Sequence, residues 1–148
     1  MSTIQELIEK EVSDFLQPYK ENYCDQRFEF DTNSWQYDDN IYQVEVNGYH
    51  QNPYKPDEQT PFVLLRLFIN HNCGQVHITN IFLPHFMKYN GIGKKIIYKI
   101  FVISEKEKYN LFIVDMVNSF YEKMLKRGAI PCVDCNDAVQ IVNETKLF

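Results

Sequence analysis

The segment from Val76 to Ile103 restricts the possible folds of this chain more than any other. It opens with an apolar run, Val76-His77-Ile78-Thr79-Asn80-Ile81-Phe82-Leu83, that reads as a strand. A turn from Phe86 to Lys94 follows, and it carries Gly91 and Gly93, two of only five glycines in the chain. Beyond the turn, Ile92, Ile96, Ile100 and Ile103 recur at the spacing of one helix face. A glycine-bearing turn between strand and helix leaves the first helical N–H groups unpaired, with the positive end of the helix dipole behind them. Such a place suits a pyrophosphate, and glycine lets the backbone approach the anion with no Cβ in the way.

Chain length and composition narrow the setting. A chain of 148 residues fits one domain, 1–148, with a substantial core. An apolar share of 45%, including eleven Phe and ten Tyr, argues against a disordered chain. The formal charge of −5 argues against nucleic acid as a partner, because binding phosphates needs a basic surface. The N-terminus, Met1-Ser2-Thr3-Ile4-Gln5-Glu6-Leu7, has no basic, then apolar, secretion pattern, and no apolar run reaches bilayer length. Cys24, Cys73, Cys132 and Cys135 are too few and too scattered for a disulfide scaffold. The expectation is a cytoplasmic protein with reduced thiols and no membrane partner. Cys132 and Cys135 have the spacing of half a zinc site, but nothing completes four ligands, so no metal is expected.

The rest of the chain reads as follows. Ser2 or Thr3 caps a first helix to about Leu16, with an apolar stripe of Ile4, Leu7, Ile8, Val12, Phe15 and Leu16, and Pro18 limits it. Arg27 to Phe30 and Ile41 to Val46 are strands, and the polar stretch from Asp31 to Asp39 between them is a loop. Its Trp35, Tyr37, Asp38 and Asp39 are either that exposed loop or the lining of a pocket for an amine. Asn47 to Pro61 holds Pro53, Pro56 and Pro61 and reads as a long loop. Phe62 to Ile69 and Val76 to Leu83 flank a hairpin turn, His71-Asn72-Cys73-Gly74. Leu111 to Val114 is a doubly covered strand, Asn118 to Arg127 a helix ended by Gly128, and Ala129 to Val133 and Val139 to Val142 closing strands. The order implies an α/β domain with a mixed sheet.

These residues resemble the GCN5-related N-acetyltransferase (GNAT) superfamily over roughly Phe62 to Val133. Three elements correspond in order. The strand closing at Pro84 comes first. The acyl-CoA loop is next, in family form Gln or Arg, two free positions, Gly, one free position, then Gly or Ala. Here it is Lys88-Tyr89-Asn90-Gly91-Ile92-Gly93. The helix Asn118 to Gly128 is the third. The resemblance implies a single-domain GNAT-like fold, a mixed and mostly antiparallel sheet flanked by helices, with acetyl-CoA as cosubstrate. It implies that Phe82 and Leu83 offer backbone to the pantetheine arm, and that the N–H groups from Tyr89 through Asn90, Gly91, Ile92, Gly93 and Lys94 hold the pyrophosphate. Lys88 stands where the family has Gln or Arg, keeping a donor without the planar fork. Lys94, Lys95 and Lys99 lie near a 3′-phosphate or form a solvated face, and Asn118 touches the pantetheine or caps its helix. One extra residue separates Pro84 from the loop relative to the common spacing.

The family's usual proton donor to the departing thiolate is a tyrosine four residues before the terminal glycine. Met124 occupies that place here, and Tyr121, one turn earlier on the same side, is the substitute or a packing residue. No carboxylate lies on Val76 to Leu83, where many relatives carry a glutamate base. His77, His85, Asp115 and Glu45 are the local alternatives, with a water relay as another. The resulting expectation is an N-acetyltransferase acting by direct attack of a primary amine, on a small molecule or a peptide, with a homodimer compatible. The alternative is an inactive CoA-binding or protein-interaction module of the same fold.

Overall fold

The computed structural model describes residues 2–22, 28–52, 54–84, 87–88 and 91–148, with the backbone alone at 20–22, 28, 50–52, 56 and 59. The element order is α1 (Ile4–Asn22), β1 (Phe28–Asp38), β2 (Ile41–Asn52), β3 (Lys55–Asn70), β4 (Gln75–Ile81), α2 (Ile92–Lys106), β5 (Asn110–Ile113), α3 (Asn118–Lys126), β6 (Ile130–Pro131) and β7 (Val139–Ile141). One seven-stranded sheet runs β1-β2-β3-β4-β5-β7-β6. All of its pairs are antiparallel except β4 with β5. This is the mixed, mostly antiparallel sheet with helices that the resemblance implies. Among the described residues no helix is long and apolar enough to cross a membrane.

Thr3 starts α1: its Oγ1 accepts the Glu6 N–H at 3.3 Å. Ile4, Ile8, Val12 and Leu16 are buried along one stripe. The helix does not stop before Pro18 but carries it inside and runs on to Asn22. Pro18 and Asp14, whose carbonyl loses its helical donor to the proline, are both exposed, so that carbonyl is open to solvent. On α2 the buried set is Ile92, Ile96, Ile97, Ile100, Phe101 and Ser104, and the Ser104 hydroxyl donates to the Ile100 carbonyl at 2.8 Å. These two helices pack on each other. They share a core with Val44, Val46, Leu65, Leu67, Ile69, Val76, Ile78, Leu111, Ile113, Val139 and Ile141. Alternation puts Gln43, Glu45, Arg66, Phe68, His77, Phe112 and Gln140 on the opposite sheet face.

Two loops expected from sequence are strand. Residues Asp31 to Asp38 continue β1, paired with β2 from Asp31↔Asn47 to Asp38↔Ile41. Hydrogen bonding to an alternating neighbour outweighs their polar composition. Likewise β2 extends to Asn52 and β3 begins at Lys55, so Pro56 and Pro61 stand within a strand. That part of β3 precedes its pairing with β4, which begins at Leu65, and an edge tolerates a missing donor. Pro53 lies outside the described residues.

The expected hairpin at His71 to Gly74 is present, and the His71 Nδ1 and Tyr109 hydroxyl, 2.7 Å apart, tie it to the start of β5. The last turn of α3 closes with Gly128 at φ +92, its N–H on Leu125 O and the Ala129 N–H on Met124 O. This is the double closure of a glycine C-terminus.

Candidate active site

The site forms where β4 stops pairing with β5. The parallel ladder runs Gln75↔Asn110, Val76↔Leu111, His77↔Phe112 and Ile78↔Ile113, and the Val114 N–H donates to Ile78 O at 2.9 Å. Beyond that point β4 continues against β3 alone. The β3 register explains the parting: Leu67 faces Ile78 and Arg66 faces Asn80, so Thr79 is surplus. A one-residue bulge bends its strand and sharpens the twist. A second bulge, at Leu64 on β3, lies beside it, and the Leu64 carbonyl accepts the Phe82 N–H at 2.8 Å. Asp115, at φ +55, turns the chain away after β5. The result is a cleft of about 160 Å³ between Thr79, Asn80 and Ile81 on one side and Val114, Asp115 and Met116 on the other, with Val117 and Phe120 beside them.

The start of α2 provides the second half. Its N-cap is Gly91 at φ +69, and no side chain caps it. Among the described residues, the N–H groups of Gly91, Ile92, Gly93 and Lys94 donate to no backbone carbonyl. The first turn holds no acidic residue, although carboxylates are favoured there, and instead carries Lys94 and Lys95. A sequence that places cations at the positive end of a dipole gives up a few tenths of a kcal/mol locally, and an incoming anion restores the balance. Gly91 needs glycine for its left-handed backbone. Gly93 does not: a Cβ there would stand at ordinary contact, 3.6 Å from Leu83 Cδ1 and 3.9 Å from Ile81 Cδ1. Folding leaves that position open to alanine.

The other expected site residues fall into place unevenly. The side chain of Ile92 enters the core, so only its backbone is available. Phe82 is half exposed, with its N–H spent on Leu64, whereas the Leu83 N–H has no backbone partner among the described residues. Lys88 lies with its Nζ 5.8 Å from the Phe82 ring centroid. Tyr89 and Asn90 lie outside the described residues, as do His85, Arg27 and Cys24. Lys99 is bound to α1, pairing with Glu11 at 3.0 Å over the Phe15 ring, and does not join Lys94 at the turn. Val117, not Asn118, is the N-cap of α3, and Asn118 is exposed without a capping bond. Tyr121 is half-buried against the core and is not among the residues lining the cleft; its neighbour Phe120 is. Met124 is buried.

Of the candidate bases, Glu45 is committed elsewhere: its Oε2 accepts from Arg66 Nε at 2.7 Å and from Gln43 Nε2 at 3.1 Å. Asp115 is exposed at the cleft rim. His77, paired with Phe112 one residue before the strands part, lies edge-on to that ring at 5.3 Å and, like Tyr121, is not among the residues lining the cleft. Its Nε2 is 2.9 Å from Gln75 Oε1, an oxygen that only accepts, so Nε2 carries the proton and Nδ1 keeps its lone pair. Burial lowers its pKa below the ordinary value, which keeps the ring neutral. The sign is clear. Unfolded, His77 takes up a proton as pH falls through about 6.5. Folded, it resists, so its contribution to stability is full above that pH and shrinks below it. Thermal melts should show the parent losing more stability between pH 7 and 5.5 than His77→Gln; equal losses would remove His77 from the balance.

Sequence reasoning missed Thr79, Asn80, Val114, Met116, Val117 and Phe120 as cleft residues. One signal was there: buried Val76 and Ile78 are two apart, but the next core-facing residue is Ile81, a slip of parity that marks a bulge.

No protein-family model and no curated protein matches the chain. Two solved structures resemble it at a distance. One is a presumed acetyltransferase from Agrobacterium tumefaciens, 14% identical, covering 89% of this chain and 87% of that one with a TM-score of 0.40. The other is an acetyltransferase of the GNAT family from Staphylococcus aureus Mu50, 10% identical, covering 88% and 78% with a TM-score of 0.38. Among the described residues no group of three or more His, Cys, Asp or Glu is gathered to hold a metal.

Proposed function

We propose that this chain is an acyl-CoA-dependent N-acyltransferase that carries acetyl from acetyl-CoA to a primary amine. The observation that carries the reading is the parting of β4 and β5 beyond Ile78, close to the helix start whose amides have no backbone partner among the described residues. The donor set fits a diphosphate thiol: amides at Gly91 to Lys94 that have no backbone partner among the described residues, cations at Lys88, Lys94 and Lys95, and no carboxylate in the first turn. The Leu83 backbone would meet the pantetheine arm. Bound acetyl-CoA supplies a thioester, an acyl group already activated toward an amine.

The chain's own groups do the rest. Segment Thr79 to Ile81, without a β5 partner, offers backbone N–H toward the oxygen where negative charge develops. His77 Nδ1 accepts the ammonium proton, directly or through one water, which frees the amine lone pair for attack. Phe120 and Val117 crowd water out of the cleft mouth. Tyr121, the single tyrosine of α3, is the candidate donor to the leaving thiolate.

Calorimetric titration with acetyl-CoA, then thioester consumption over a panel of amines, tests the reading. Saturable binding and steady CoA release are expected, with His77→Gln slowing turnover by about 100-fold and erasing the acid limb of the kcat/KM profile. No binding at high micromolar acetyl-CoA sinks the proposal. A second reading, binding without turnover, draws on the buried thioether of Met124 at the expected tyrosine position. Binding with no CoA release from any amine would establish it. Tyr121→Phe assigns the phenol: slower turnover at unchanged affinity gives it the acid's role, and unchanged turnover gives it to packing.

A further inference from the structure

The outer edge of β1 has chemistry that acyl transfer does not use. β1 is the last strand on its side of the sheet and is eleven residues long, so among the described residues no strand pairs with its far side. An edge of that length presents a row of backbone donors and acceptors to any extended chain. Helix α1 runs beside it. Glu6, Glu9, Ser13 and Gln17, spaced three and four apart, form the wall of a groove of about 470 Å³ whose other wall is Phe30, Asp31 and Thr32. A trough between a helix and a sheet edge is the shape that accepts one added strand.

Charge identifies the occupant. Residues 28–40 contain Glu29, Asp31, Asp38 and Asp39 and no lysine or arginine. Of these, Asp31 lines the groove opposite Glu6 and Glu9, and the one cation among the described lining residues, Lys10, is held by Asp14 at 2.7 Å. Two copies pairing edge to edge would set these carboxylates against each other. The Thr32 hydroxyl is buried on the groove wall with no hydrogen-bond partner among the described residues, a polar atom awaiting one.

We infer that the trough between α1 and β1 is a docking site for an extended basic peptide, which adds as a strand to β1 and directs lysine or arginine toward Glu6, Glu9 and Asp31. The inference stands apart from the acyl-transfer reading, and either can fail alone.

The test uses a fluorescein-labelled peptide of about nine residues, a length matched to the strand, alternating lysine with valine and threonine. Fluorescence anisotropy on the full chain at physiological salt should show saturable binding. A version with proline at alternate positions, which cannot donate to the edge, should bind about tenfold more weakly, and one with glutamate for lysine should not bind. The double variant Glu6→Lys, Glu9→Lys should lose about tenfold for the parent peptide. Hydrogen exchange should slow at Asn33 to Gln36 on binding. Equal binding of the proline peptide, or no slowing in β1, overturns the inference. So does a chain dimer at micromolar concentration with β1 amides already protected, which would make the occupant a second copy.

Discussion

Replacing Gly93 by aspartate should lower the affinity for acetyl-CoA by about 100-fold while the melting temperature holds or rises. Two like charges 4 Å apart repel by about 4 kcal/mol at an effective dielectric near 20, and solvent screening leaves roughly 3 kcal/mol of that, which is a hundredfold. The fold has no objection. A Cβ at residue 93 meets only Leu83 and Ile81 at ordinary contact, and a carboxylate in the first turn of α2 gains about 0.3 to 1 kcal/mol from the dipole. Calorimetric titration beside a thermal melt separates the two effects. Unchanged affinity in a folded variant would place the pyrophosphate elsewhere.

Ile100→Ala should do the reverse. Ile100 is fully buried on α2, and removing its outer carbons costs the transfer energy plus a cavity, about 3 to 4 kcal/mol. Denaturant unfolding will show it as a lower midpoint at unchanged slope. Affinity for acetyl-CoA, measured cold where the variant remains folded, should stay within about twofold, because residue 100 lies two turns, roughly 12 Å, along the helix from its N-terminal amides. The pair of variants thus divides α2 into an end that binds and a flank that holds the core. If Ile100→Ala also abolished binding in a demonstrably folded chain, that division would be wrong.

The division also shows what was legible in the sequence. The isoleucine period of α2, the glycine that opens it, the continuous apolar run of β5 and the glycine stop of α3 are local signals, and each corresponds to a feature of the described residues. The polar half of β1 was not legible, since Thr32, Asn33, Ser34 and Gln36 become strand only by lying against β2. Pro18 and Pro61 misled for a related reason: a proline's cost depends on whether its neighbours need the missing donor, and here water or an open edge relieves it. Lys99 shows the limit for charges. Its partner Glu11 is far away in sequence, and only the packing of α1 on α2 brings them together. The candidate site divides the same way. The proposed anion cradle is a short motif and could be read, whereas the cleft exists through a ladder that ends, and absent pairing leaves only the parity slip at Thr79.

That slip has a consequence for how a family of such chains could diversify. A single supernumerary residue decides whether two adjacent strands zip together to their ends or part, and it also sets which of Asn80 and Ile81 faces inward. Substitutions can widen or repaint the slot but cannot readily abolish it. Insertions and deletions of one residue can, so gain and loss of the cavity in descendants of this architecture should track gaps in the alignment of β4 more than exchanges of side chains.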